Sequence, residues 1–257
     1  MPSFDAAEAL QTFLRARREG LFFPAEWEGS LTLDEAYRVL VAWERHLESE
    51  GQKRIGWKVG LTAKPIQDQF SVHEPVFGFL MDNSPYASGS AIPFDSLIKP
   101  GFENEICVTA GADLAGPGMT VKQARRGIQT IRPAFELIET RGDFIGHAEK
   151  VVPDNLQQKG IIIGDEEPFT EDMNLSEVAL RVIVNGQTVD EGIGSAVLGD
   201  PVNSVVWLAN RLAEFNLHIS AGDLIMTGSF TRQHAISRGD AISASFAGLG
   251  EVTASFP

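Results

Sequence analysis

The chain has 257 residues, 43% hydrophobic and 22% charged, which is ordinary for a globular protein with a real core. Its net charge of −14 argues against nucleic acid as a partner, because phosphate backbones bind clustered Lys and Arg. No apolar run approaches the roughly 18 residues of a membrane span. The start lacks a basic, apolar leader, and the single cysteine, Cys107, cannot form an internal disulfide, so we expect a cytoplasmic protein.

The first part of the chain predicts two helices. At Asp5 and at Thr32 a capping residue is followed three positions later by glutamate, which is the spacing of a capping box. Apolar residues at helical spacing follow each of them, and the second pattern ends near Gly51. Residues 1–52 are therefore predicted to form a helical N-terminal region.

From residue 53 onward, short apolar runs alternate with turns rich in Gly, Pro, Asn and Asp, which predicts a β-rich core over 53–257. Asn185-Gly186 indicates a tight hairpin, and Asp200 followed by Pro201 predicts the start of a late helix. Strands do not alternate regularly with helices, so a doubly wound or barrel fold is disfavoured. The predicted fold class is α+β, with a mostly antiparallel or mixed sheet.

The segment "GFENEICV" places two carboxylates one residue apart in a β-like run. Glu103 and Glu105 would point from the same face of a strand, which leaves the face of Phe102 and Ile106 as the expected core side. A solvated strand face and a divalent cation between the two acids both remain open. The five histidines show no metal-ligand spacing, so any metal is expected to have oxygen ligands.

Two further charged residues have apolar neighbours. Glu136, in "RPAFELIET", is flanked by apolar residues on both strand faces, so it needs a cation or a nearby arginine such as Arg132 or Arg141. Lys58, in "RIGWKVGLT", shares its strand face with two glycines that leave room for a ligand. It is either a structural lysine or one that binds a carboxylate or transfers a proton.

Six segments then form a recognisable order: "GWKVGLT", "FENEICV", "PAFELIETR", "DN" at 154–155, "VLGDPVNSVVWLAN" and "GDLIMTGSFTR". Their order resembles the hydratase/decarboxylase branch of the fumarylacetoacetate hydrolase superfamily. That branch includes 2-hydroxypentadienoate hydratases, 2-oxohept-4-ene-1,7-dioate hydratases and 4-oxalocrotonate decarboxylases. The resemblance covers the chain from about residue 32 and implies a mixed β-roll core of the C-terminal-domain type beneath the helical N-terminal region.

The resemblance also implies the site. Glu103, Glu105 and Glu136 are the expected ligands of one Mg²⁺ or Mn²⁺, and Lys58 matches the active-site lysine of the family. The "DN" turn is followed by "LQQKG", which departs from the family pattern. The other residues expected near the substrate are Thr227, Gly228, Ser229, Asp154 and Asn155.

The implied reaction uses the cation as a Lewis acid for a 2-oxo acid, stabilising the enolate charge. The expected activity is hydration of a 2-hydroxy-2,4-dienoate, with a dicarboxylate as one option, in aromatic meta-cleavage catabolism. A 4-oxalocrotonate-type decarboxylase is the alternative, and an acylpyruvate hydrolase or a non-catalytic partner subunit ranks lower. A homo-oligomer is implied, with association to another pathway enzyme as a further option.

The choice between hydration and decarboxylation depends on "EPVFGF". Val76 stands where hydratases of the family often carry an acid, and an apolar residue there resembles the decarboxylases. The segment "TGSFTR" resembles the heptene-dioate hydratases instead. With Val76 in place, a hydratase would use Lys58, Glu74, Asp82 or a water on the metal.

Two residues of "SFTRQH" complete the candidates. Arg232 would bind a distal carboxylate, because a guanidinium matches that group, or else lie on a surface loop. His234 is a candidate proton carrier, although a lone histidine is more often structural.

Overall fold

The computed structural model describes residues 4–257. Two long helices cover the N-terminal region, and both begin as predicted: the Asp5 carboxylate accepts hydrogen bonds from the backbone N–H of Ala7 and Glu8, and Thr32 forms a reciprocal capping box with Glu35. The α-helices of the described residues are α1 (Ala6–Arg18), α2 (Leu33–Ser49), α3 (Lys64–Gln69), α4 (Val121–Gly127), α5 (Ala148–Val151) and α6 (Pro201–Ala213).

The strands form two sheets. They are β1 (Arg54–Gly60), β2 (Val76–Met81), β3 (Pro85–Ala87), β4 (Ser90–Ala91), β5 (Pro100–Ala110), β6 (Ile128–Glu139), β7 (Gln158–Ile163), β8 (Glu167–Pro168), β9 (Ala179–Val184), β10 (Gln187–Ile193), β11 (Leu224–Ser229), β12 (His234–Ala235), β13 (Ala241–Phe246) and β14 (Gly250–Ser255). The larger sheet has the order β2-β1-β11-β5-β6-β7-β3, with β12 beside β5 and β8 beside β6; the smaller has the order β10-β9-β13-β14-β4. Parallel pairs, such as β1 with β11, occur among antiparallel ones, so the predicted mixed sheet is confirmed.

Two local predictions are also confirmed. Asn185 and Gly186 have φ values of 52° and 79°, as a tight hairpin requires, and they connect β9 to β10. Asp200 caps α6 by accepting a hydrogen bond from the N–H of Val202, and Pro201 lies in the first turn. The helices α3, α4 and α5, with 6, 7 and 4 residues, were not predicted, because so short a segment shows no clear helical period.

Helices and strands share one core. Tyr37 of α2 stacks on Phe77 of β2 with ring centroids 4.5 Å apart, and α1 contributes Leu10 and Phe13 to the same buried cluster. The change from helix to strand falls between α2 and β1, where the boundary at 52/53 was predicted. The division into a helical N-terminal region, 1–52, and a β-rich catalytic core, 53–257, stays a prediction.

The large sheet curls until both of its faces are buried. Leu80 of β2 and Ile161 of β7 are separated by four strands in the sheet order, yet they pack in one cluster with no exposed surface. The other members of this cluster are Cys107, Ala134 and Met226. Cys107 lies on the strand face of Glu105, so the expectation that only the Phe102 face of β5 belongs to the core is wrong.

Within residues 4–257, no helix is both long enough and apolar enough to cross a membrane. The longest helix, α2, has 17 residues, and charged side chains cover its outer face.

Candidate active site

Three glutamates meet at one end of the curled sheet. Glu103 lies directly opposite Glu136 in the antiparallel β5–β6 pair, and Glu105 follows two residues along β5 on the same face. One carboxylate oxygen from each of the three lies within 4.8 Å of the others. Glu105 and Glu136 are buried, whereas Glu103 is partly exposed. Strand pairing therefore brings together two acids that are 33 positions apart in the chain.

Lys58 of β1 is the nearest cationic group to this cluster. Its Nζ lies 2.5 Å from Oε1 of Glu136, and only 3% of its side chain is exposed. The arginines considered as partners of Glu136 pair elsewhere: Arg132 binds Glu166, and Arg141 binds Asp154. The buried acid is thus matched by a lysine from a different strand.

The remaining carboxylate oxygens are only partly satisfied. Oε2 of Glu105 accepts a hydrogen bond of 2.8 Å from the backbone N–H of Gly228. Oε2 of Glu136 is buried and has no hydrogen-bond partner among the described residues. A buried carboxylate oxygen without a partner is costly, so this atom marks a position where a further positive group belongs.

The electrostatics of the cluster agree with that conclusion. Burial raises the pKa of Glu136 to about 7, although Lys58 opposes the rise. Burial also raises the pKa of Glu103 and of Glu105, and for Glu105 the neighbouring glutamates raise it further. Three carboxylates around one lysine carry an excess of negative charge when ionised. A divalent cation with oxygen ligands fits this donor set.

A cavity of about 670 Å³ opens from the cluster to the surface. Lys58 and Glu103 line its inner end. Its walls are mainly apolar, formed by Leu61, Ile66, Phe70, Phe144, Ile145 and Leu156. The rest of its lining includes charged residues, namely Lys99, Arg141, Asp143 and Arg232. Such a cavity suits a ligand that combines an apolar chain with charged groups.

The structure brings only some of the predicted substrate residues to this cavity. Ser229 and Arg232 line it, and the Arg232 side chain is 77% exposed, with Nε 3.6 Å from Asp190. Thr227 is buried and donates its hydroxyl hydrogen bond to the Ile106 carbonyl. Because the N–H of Gly228 binds Glu105, residues 227 and 228 support the carboxylate cluster rather than face the cavity.

The two residues of the predicted "DN" turn lie behind the cavity wall and do not line the cavity. Asp154 is fully buried and pairs with Arg141, Nε to Oδ2 at 2.8 Å, and with Arg17. The amide of Asn155 bonds both the N–H and the carbonyl of Phe79, at 2.9 and 3.0 Å. These residues hold the chain behind the cavity wall.

The acid/base candidates around β2 lie outside the cavity. Val76 is buried in the core, the carboxylate of Glu74 accepts a hydrogen bond of 3.4 Å from Trp207, and Asp82 is exposed just beyond β2. His234 stacks on Phe102 and lies 3.1 Å from Asp190. None of these side chains belongs to the described lining of the cavity.

Sequence reasoning missed several lining residues. Lys99 and Asp143 lie in loops, where no periodic pattern signals which way a side chain points. Leu156 and Gln157 have positive φ values of 54° and 60°, and nothing in their residue types predicts that conformation. The asparagine before them, which tolerates the left-handed region, is the one local signal.

Comparison with known proteins identifies the class to which this fold and site belong. The family model "Fumarylacetoacetate (FAA) hydrolase C-terminal" matches residues 37–256. The chain therefore belongs to this family, and both the predicted resemblance and the predicted fold class are confirmed.

The relatives include both reaction types named by the resemblance. The chain is 34% identical to 2-hydroxyhexa-2,4-dienoate hydratase of Comamonas testosteroni, covering 88% of this chain and 87% of the relative. It is 37% identical to 4-oxalocrotonate decarboxylase of Pseudomonas putida, covering 88% and 86%. The structure of 4-oxalocrotonate decarboxylase from Pseudomonas putida G7, complexed with magnesium and adipate, is similar with a TM-score of 0.92 and 32% identity over 99% of each chain.

Proposed function

We propose that the protein is a divalent-metal-dependent lyase that adds water to a 2-hydroxy-2,4-dienoate bearing a second carboxylate. The observation that carries the proposal is the convergence of three glutamates and Lys58 at the inner end of a mainly apolar cavity. The resemblance drawn from the sequence implies the same combination, with three glutamates as metal ligands and Lys58 as the active-site lysine.

Glu103, Glu105 and Glu136 would hold the Mg²⁺ or Mn²⁺. The unpartnered Oε2 of Glu136 supports this assignment, as does the raised pKa that burial and mutual repulsion give these acids. When bound, the cation would supply Lewis-acid polarisation of a 2-oxo acid group. The N–H of Gly228 would keep Glu105 oriented toward it.

The chain's own residues divide the remaining work along the cavity. The ammonium of Lys58 would bind the oxygens at C1 or C2 of the substrate and hold a proton there, since it lies beside the cluster and lines the inner end. The apolar walls would exclude bulk water and align the conjugated chain. Arg232, at the open side, would bind the distal carboxylate.

Asp143 is the group we assign to activation of the added water. It is the one acid besides Glu103 in the described lining of the cavity, and the acids considered near β2 lie outside it. A carboxylate there can accept the proton that water loses as it adds to C4 of the 2-oxo-enoate, which forms when the 2-hydroxydienoate ketonises. Changing Asp143 to Asn should therefore slow hydration without weakening metal binding.

Decarboxylation of a 4-oxalocrotonate-type substrate is the second candidate, and three observations favour it. Val76 is apolar and packed in the core, whereas the hydratases that the sequence resembles often have an acid at this position. The apolar cavity walls would desolvate a departing carboxylate, which favours its loss as CO₂. The similarity to a decarboxylase structure over 99% of the chain supports the same alternative.

One assay separates these activities. The purified protein is given mono- and dicarboxylate 2-hydroxydienoates and 4-oxalocrotonate, with Mg²⁺ or with chelator, while ultraviolet absorbance and CO₂ are recorded. We expect Mg²⁺-dependent loss of dienoate absorbance without CO₂, fastest with the dicarboxylate. CO₂ release without hydration would favour the decarboxylase, and no metal-dependent turnover of any substrate would overturn the lyase proposal.

We further infer a homo-oligomer that works in the cytoplasm. Exposed Val189 and Ile193 on β10, an edge strand of the smaller sheet, support self-association, and the single buried thiol suits a reducing compartment. Light scattering after gel filtration would give the subunit number, and a monomer at working concentration would contradict this inference.

A further inference from the structure

Residues 155–157, here called the left-handed segment, have an unusual backbone. Asn155, Leu156 and Gln157 have φ values of 52°, 54° and 60°, although none of them is glycine. L-residues rarely adopt this region, and a run of three persists only where the surroundings enforce it. The question is what this arrangement provides.

The left-handed segment packs against the strand that carries Lys58. Leu156 and Gln157 line the cavity. A Cβ added at Gly60, two residues beyond Lys58, would lie 2.8 Å from Cδ2 of Leu156. A Cβ added at Gly78, the β2 partner of Lys58, would lie 2.4 Å from Oδ1 of Asn155 and 3.1 Å from Cγ of Lys58. The segment therefore touches both glycines around the lysine stem.

Two sets of contacts hold the segment in place. The Asn155 amide bonds the backbone of Phe79 on both its donor and its acceptor side. Just before it, the fully buried carboxylate of Asp154 is shared by two arginines, Arg141 from the cavity wall and Arg17 from α1. Each arginine pairs with a different oxygen, so loss of either would leave a buried carboxylate oxygen unpaired.

Arg17 is well placed for this contact. Its guanidinium carbon lies 4.3 Å from the centre of the Trp43 ring and 5.2 Å from that of Phe22, which fixes its direction toward Asp154. It lies in the N-terminal helix, outside the 37–256 matched by the family model. A small cavity of about 10 Å³ borders both Arg17 and Asp154.

We propose that Arg17 is a positioning residue for the reaction, acting through Asp154 to hold the left-handed segment against Gly60 and Gly78, the two glycines that flank the stem of Lys58. The N-terminal helix α1 then helps to orient the active-site lysine rather than only covering the core. This inference rests on the proposed function for its kinetic consequence. Its structural consequence, a backbone of residues 154–157 held in place by Arg17, does not depend on that function.

The test compares Arg17→Ala and Arg17→Lys with the matched control Arg15→Ala. Arg15 lies on the same helix, and its pair with Glu26 is exposed. For Arg17→Ala we expect kcat to fall about tenfold with a smaller change in KM, because the apolar walls and Arg232 still bind the rest of the substrate while the lysine is misplaced. Mn²⁺ affinity should stay within about twofold of wild type, since no ligand is touched. Arg17→Lys and Arg15→Ala should keep most of the activity.

Two further readouts separate positioning from a general loss of stability. Millimolar guanidinium, far below denaturing concentrations, should partly restore kcat of Arg17→Ala, because the truncation enlarges the small cavity beside Asp154. Amide hydrogen exchange over residues 154–160 should accelerate in Arg17→Ala and slow again with guanidinium.

Three results would overturn the proposal: an unchanged kcat, a loss of activity that follows the loss of folded protein and is not rescued, or unchanged exchange over residues 154–160. If the wild-type protein turns over none of the substrates, the proposed function fails. The exchange measurement still decides the position of the left-handed segment in that case.

Discussion

Two ends of one sheet face differ sharply in chemistry. At one end, side chains without exposed surface pack into an apolar cluster that contains Cys107 and Ala134; two residues further along the same strands lie Glu105 and Glu136. Two residues of a strand span about 7 Å. Within that distance the interior changes from an apolar cluster, whose burial stabilises the fold, to buried acids. Such acids cost free energy unless a cation pairs with them. The residues that stabilise the fold and those proposed to carry the reaction therefore occupy neighbouring positions on the same strands.

The largest expected effect is at the charged end. Lys58→Met should lower kcat about 1000-fold, roughly 4 kcal/mol in transition-state free energy, because the proton-holding ammonium is lost. Metal affinity should be retained, since a positive charge beside the ligands is removed. Steady-state kinetics and a Mn²⁺ titration check this, with Lys64→Met as the control, because Lys64 is exposed and pairs with Asp68. Near-normal turnover in Lys58→Met would remove the lysine from the mechanism.

At the apolar end the pattern should reverse. Leu80→Ala leaves a hole in a fully buried cluster and should lower the free energy of unfolding by about 3 kcal/mol, as for other large-to-small core changes. The kcat of the folded fraction should change by less than about twofold, because no cavity-lining group is altered. Urea unfolding and turnover on the same sample measure both quantities. The exposed Leu21→Ala should change stability by less than about 0.5 kcal/mol. A collapse of turnover in folded Leu80→Ala would show that the two layers are not independent.

The pH dependence of stability, measured with and without metal, tests the charged end through Glu136. Without metal, its pKa in the folded protein is raised from 4.5 to about 7. The folded state then binds this proton more tightly than the unfolded chain, so the stabilisation is complete below pH 4.5 and is lost as the pH rises through about 7. A divalent cation bound by the three glutamates, as proposed, would replace the proton. The Tm difference between Mg²⁺-loaded and chelated protein should therefore grow as the pH rises from the lower to the upper of these values. A difference that stays constant with pH would contradict this.

The smallest expected effect concerns the thiol of the apolar end. Burial raises the pKa of Cys107 to about 12, so almost no thiolate is present at neutral pH. A thiol reagent should leave the native protein unmodified and label one thiol per chain only after unfolding. Rapid labelling of the native protein would show that the apolar cluster around Cys107 is open to solvent.

Local features of the fold were readable from the sequence, because each depends on residues a few positions apart. The caps at Asp5, Thr32 and Asp200 and the hairpin at Asn185-Gly186 are such cases. The curl of the large sheet is not local. Sequence alternation on β5 predicts one core face, whereas distant strands bury the second face as well.

The candidate site divides in the same way. Residue types alone singled out Glu103, Glu105, Glu136 and Lys58, because acids and a lysine in apolar strands are costly. Their meeting depends on pairings between distant parts of the chain, such as Lys58 with Glu136 across 78 positions, and only the order of family-like segments indicated it. Asp143 lies in a loop without a periodic pattern, so it was missed.

The most direct test of the central idea is a calorimetric titration of Mn²⁺ or Mg²⁺ into wild-type protein and into Glu105→Gln and Glu136→Gln. Glu171→Gln, a change on an exposed surface pair, is the matched control. We predict one ion per chain in the wild type and in the control, and an affinity at least about tenfold weaker in either buried variant, because each loses a charged oxygen ligand. Equal affinity in all four proteins, or no binding to the wild type, would contradict the assignment of these glutamates as the metal centre.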